Sequence, residues 1–298
     1  MPARMRVAAT LLLTACAAGS TRTGAPPAAE PAPAPATPRP AVTPPPPPAP
    51  TVIRIGPQAG RYIAHQRVEI RNDFAGMPPE QVLGFRSWFS VTVRDTSDSS
   101  GRLATVFVID SVTADSATVL PPTINLATAR GLTVRGWIAT SGELEDAVYS
   151  DSVVAQNLGR LLGWFRRFFP HVPPAGLRSD GQWTDSLTSV DPGLGATISR
   201  TAVLHTRTAG WEMRDTVTVL RIDATEAYEF SGSGDGGGQP IELRGTGTRT
   251  GVDYLTGTGI YLGGTSSDTA SMTIVLPQQG ITIPQRQIGT LTITWLPR

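Results

Sequence analysis

Lysine is absent from this chain, so all 25 of its basic residues are arginine. That excludes Schiff-base chemistry and any P-loop, both of which need the lysine amine. Cysteine occurs once, as Cys16, so no disulfide can form within the chain and the fold must rest on its hydrophobic core. Histidine is scarce: His65 and His205 fall in strand-like stretches, and His171 follows a helical pattern. With no HExxH, no paired CxxC and no free thiolate, no metal site is expected. No Gly-x-Ser-x-Gly elbow is present. The run Gly232-Ser233-Gly234-Asp235-Gly236-Gly237 satisfies GxGxxG, but Pro240 and a strand follow where a helix should begin. It reads as a hairpin loop. No catalytic residue and no cofactor is therefore predicted. The acids Glu143, Glu145 and Asp146 cluster at a turn, where solvated carboxylates are the default. Formal net charge is only +1, with no basic stripe in the body, which argues against a nucleic-acid partner.

What is present is most specific at the N-terminus. Arg4 and Arg6 precede a short apolar run, Val7 to Leu13, which is laid out as a secretory signal. The run is too short to span a bilayer, which takes about 20 residues. It ends in Leu13-Thr14-Ala15-Cys16, which resembles the lipobox of bacterial lipoproteins. That resemblance implies a signal peptide over residues 1–15 and a diacylglyceryl group on Cys16 as the new N-terminus. Ala17, rather than an acid, follows the cysteine, which favours the outer membrane where the host has two. The expected location is the cell envelope, lipid-anchored, facing the periplasm or the cell surface.

Residues 16–50 are almost wholly Ala, Pro, Thr and Gly, ending in Pro44-Pro45-Pro46-Pro47-Pro48. Such a stretch buries too little apolar area to offset its ordering entropy and reads as an extended tether. A single domain is predicted over residues 51–298. Tyr62, Ala64, Val68 and Ile70 share one face of a strand, with Arg67, Glu69 and Arg71 opposite. Leu83 to Val93 repeats this alternation, and Leu103 to Val112 is apolar on both faces. Further strands are suggested at 132–138, 144–148, 197–206, 213–224, 241–248, 252–262, 270–276 and 287–295. From Asp151 to Phe169 the period becomes 3.6, and Pro170 stops it. The predicted fold is mainly β, of the α+β class. It comprises a strongly curved antiparallel sheet or half-open β-barrel of about 11–12 strands, with one amphipathic helix packed on it at about 151–169.

That helix is the sequence's candidate site. Leu158, Leu161, Leu162, Trp164, Phe165, Phe168 and Phe169 lie on its apolar arc. They complete a solid core, cover a cavity for a lipid or other apolar ligand, or lie on a membrane surface. The layout from Tyr62 to Trp295 resembles the bacterial lipoprotein-carrier superfamily of LolA-like proteins, open antiparallel barrels with helices plugging a hydrophobic cavity. Gly181-Gln182-Trp183-Thr184, after a proline-rich loop, is similar to a family of uncharacterised bacterial lipoproteins. The expected partners are the membrane, through the N-terminal lipid anchor, together with an apolar ligand or an envelope protein. The function expected is that of a non-enzymatic envelope lipoprotein. The alternatives are a structural or protein-interaction module and a hydrolase.

Overall fold

Threonine, serine, valine and arginine alternating at period two produce long strands in this chain, and they all join one sheet. The computed structural model describes residues 52–74, 79–95, 101–118, 120, 124–158, 163–193, 196–235 and 239–296. The strands are β1 (Gln58–Asn72), β2 (Glu80–Arg94), β3 (Leu103–Ala114), β4 (Thr133–Ile138) and β5 (Leu144–Tyr149). After them come β6 (Gln182–Gly193), β7 (Ala196–Arg214), β8 (Val217–Asp235), β9 (Pro240–Thr256), β10 (Tyr261–Leu276) and β11 (Ile281–Leu296). Their order is β5-β4-β3-β2-β1-β11-β10-β9-β8-β7-β6, with every pairing antiparallel. Among the described strands only the β1–β11 pair joins strands distant in sequence. The sheet is therefore one meander interrupted between β5 and β6, where residues 150–181 intervene.

The α+β expectation is corrected here: the fold is nearly all β, and among the described residues no long helix covers the sheet. Within 151–169 the described helical elements are α1 (Ser152–Asn157) and a 3-10 turn at Gly163–Arg167. The physical reason lies in the segment itself. Gly159 and Gly163 each cost about 1 kcal/mol in a helix, and the β-branched pair Val153-Val154 adds little support. Asp151 does cap the first turn, accepting from the Val153 and Val154 amides at 3.0 Å each. The aromatic residues then leave helical geometry to reach the sheet. Phe168 meets Tyr62, Phe107 and Tyr261 edge-on at 5.1, 5.3 and 5.1 Å between ring centroids. Phe165 meets Phe89 and Phe107 at 5.4 and 5.0 Å. Such pairs each add about 0.5–1.5 kcal/mol beyond the area they bury. The segment plugs the inward side of the sheet, and an Ile53–Leu177 bridge ties it to the chain ahead of β1.

The two faces of the sheet differ. Inward positions carry the core: Tyr62, Phe89, Phe107, Ile109, Val134, Ile222, Leu255 and Tyr261 are all buried. Outward positions are largely Thr, Ser and Arg, such as Arg244, Thr246, Thr248 and Thr250 on β9 and Thr290, Thr292 and Thr294 on β11. Exposed large apolar residues are scattered singly, among them Val148, Val153 and Val190. Among the described residues they do not form the apolar band with aromatic girdles that a lipid-facing barrel requires. No described helix is long and apolar enough to cross a membrane.

Candidate functional site: a cavity under the plug

Where the plug meets β6–β11 the inward side of the sheet is left bare. One inward row runs Thr206–Ala224–Gly251–Ser266–Leu291 across five adjacent strands. Its three central members are small, so the sheet and the plug segment cannot close on each other there. The result is a cavity of about 340 Å³, lined on the plug side by Arg166, Arg167, Phe169, Pro170 and His171. That volume lies at the lower end of the roughly 300–1,000 Å³ range of small-molecule sites. Leu204, Ile222, Leu291 and Ile293 supply its apolar lining and Glu226, Arg249, Asp253 and Ser266 its polar lining, interleaved along the strand register.

These charged groups come from the inward rows on either side of the small-residue row. Leu204, Glu226, Arg249 and Asp268 stand side by side on β7 to β10. Glu226, whose side chain is only 4% exposed, binds Arg167 at 3.0 Å and Arg200 at 3.2 Å. Burial and the neighbouring Arg167 charge lower the Arg200 pKa, and Glu226 opposes both. The Arg200 guanidinium also lies 3.8 Å from the centroid of the Tyr228 ring, and Tyr228 donates to Asp268 at 2.7 Å. Gly247 leaves room for the Tyr228 ring, since a Cβ there would collide with it. Arg249 donates to Ser266 Oγ at 3.2 Å. Tyr261 donates to Asp253 Oδ1 at 2.8 Å. Burial pushes the Asp253 carboxyl up to about 6, although the Tyr261 hydrogen bond and the Arg249 charge oppose the rise. Burial also holds the Tyr261 phenol well above its ordinary range, so it remains a donor.

The residues singled out from sequence are placed unequally. Cys16, Leu161 and Leu162 lie outside the described residues. Leu158, Phe165 and Phe168 are packed in the core, and Trp164 is half-buried, stacked on Phe165 with centroids 3.9 Å apart. Phe169 belongs both to the core and to the cavity wall. The polar lining and the small-residue row were not anticipated, because they come together only through strand register.

Other candidate sites are less developed. His65 pairs with Asp115 at 3.1 Å, His171 with Asp185 at 2.8 Å, and His205 with Thr184 at 2.9 Å. Among the described residues no histidine contacts both a carboxylate and a hydroxyl, and no cluster of three metal-ligating side chains occurs. A wider trough of about 870 Å³ crosses the outward face between rows of Ser, Thr and Arg, open to solvent.

No family model matches the chain, and no curated protein is similar to it in sequence. Among solved structures it is similar to Pseudomonas aeruginosa OccK2 (OpdF) in complex with glucuronate. There the identity is 9%, covering 80% of this chain and 99% of that one, with a TM-score of 0.29. A mutant of the Rh. blastica porin matches at 9% identity, covering 79% and 100%, with a TM-score of 0.24. At these scores neither likeness carries an argument about fold or function.

Proposed function

We propose that this chain is a lipid-anchored envelope protein whose β domain holds a small amphiphilic molecule in the cavity over Gly251. The carrying observation is that cavity: small residues from adjacent strands coincide in register opposite the plug, leaving ligand-sized space lined by both apolar and polar side chains. A solid structural core would fill such a row, because interiors pack to crystal-like density and each void costs stability. The lipobox at Cys16 and the proline-rich tether support an anchor at the outer membrane, facing the periplasm or the cell surface. The hydrophilic outward face suits a domain held in water beside that membrane rather than within it.

The test uses the full chain carrying Cys16→Ser, expressed in its own host and purified from the soluble fraction without detergent. Denaturation and solvent extraction should release an amphiphile at near one per chain. Recovery of ligand-free protein alone ends the holding role and leaves an interaction module.

A further inference from the structure

Arg249 occupies an unusual position for an inward-facing arginine. Its two register neighbours are carboxylates, Glu226 on β8 and Asp268 on β10. Neither lies within salt-bridge distance of it. Glu226 is taken by Arg167 and Arg200, and Asp268 accepts from the Tyr228 hydroxyl. Asp253, in the same lining, is also beyond that distance and takes its hydrogen bond from Tyr261. A guanidinium carries five N–H donors. The hydrogen bond that Arg249 makes goes to the neutral Ser266 hydroxyl, on the bare floor of the cavity. The Asp253 charge acts on Arg249 at longer range, but none of these carboxylates meets the guanidinium in an ion pair, so its fork can still engage an oxyanion in the cavity. The cavity also has an apolar wall of Phe169, Leu291 and Ile293.

We infer that Arg249 seats the anionic head group, a carboxylate or phosphate, of a single-chain amphiphile whose tail lies along that apolar wall. This rests on the holding role proposed above and adds the chemistry of the ligand. The guanidinium fork matches an oxyanion bidentately, Ser266 orients it, and a cavity of about 340 Å³ suits a small ligand.

Titration calorimetry on the soluble Cys16→Ser chain tests the inference with three probes of equal chain length, kept below their micelle concentrations: laurate, dodecyl phosphate and neutral dodecanol. At least one anionic probe should bind about tenfold or more tighter than dodecanol. Arg249→Gln should abolish that preference while dodecanol still binds and the variant still unfolds in one cooperative transition, and Arg249→Lys should restore most of it. Laurate against dodecyl phosphate then separates the two head groups. Equal binding of all three, with Arg249→Gln without effect, overturns the anionic seat while leaving the cavity as a ligand site. Binding of none overturns the holding role itself.

Discussion

Replacing Asp253 by Asn should stabilise the protein at high pH and leave it unchanged at low pH. Inside the fold the Asp253 carboxyl is raised from 3.8 to about 6, with burial as the main cause. A carboxyl whose folded pKa lies above its unfolded one binds protons more tightly in the folded state. Between about pH 4 and pH 6 the folded chain therefore holds the extra proton, and stability falls as pH rises through that window. At 1.36 kcal/mol per unit, the full penalty above pH 6 is about 3 kcal/mol. Asparagine keeps an acceptor for the Tyr261 hydroxyl at the same place, but it cannot ionise. Urea unfolding followed by tryptophan fluorescence, on both proteins at pH 3.5 and pH 8, isolates the effect, because other titrating groups cancel in the difference. Asp253→Asn should be more stable than the parent by up to about 3 kcal/mol at pH 8 and indistinguishable from it at pH 3.5. A difference equal at both pH values, or larger at pH 3.5, would refute the reasoning.

Two further outcomes follow from the core and the anchor. Phe168 touches six aromatic rings, those of Tyr62, Phe89, Phe107, Trp164, Phe169 and Tyr261. Phe168→Ala should therefore cost about 3–5 kcal/mol in urea unfolding, and a loss below about 1 kcal/mol would contradict a packed plug. Cys16→Ser should move the protein from the membrane fraction to the soluble one, and unchanged fractionation would sink the lipid anchor.

Much of the β architecture was legible from local pattern. Tyr62, Ala64 and Ile70 are buried on β1 as their alternation with Arg67, Glu69 and Arg71 implies. Strand limits were lost where turns lack strong markers. The stretch 213–224 reads as one strand, yet Asp215, at φ 54°, turns the chain between β7 and β8 inside it. Similarly, 252–262 crosses the turn between β9 and β10. The 3.6 periodicity of 151–169 misled for another reason. Phe165, Phe168 and Phe169 are all buried, but by a bent segment inserted among the rings of β1, β2, β3 and β10. Burial and helical period coincide there without a continuous helix. The cavity could not be read locally at all. Ala224, Gly251 and Ser266 are unremarkable one by one, and only their register across β8, β9 and β10 makes a void.

That void is the account's central claim, and Gly251 tests it most directly. A Cβ built on Gly251 would make close but tolerable contacts with Ser266 and the Thr265 carbonyl, at 3.4 Å each. Gly251→Leu can therefore project a side chain into the open space. Native mass spectrometry of the soluble Cys16→Ser chain from its own host should show a bound mass above that of the polypeptide. Adding Gly251→Leu should remove that mass while the melting temperature holds or rises, because the leucine fills a hole. Retention of the bound mass in the leucine variant, or its loss together with a collapse in stability, would contradict a ligand cavity at this position.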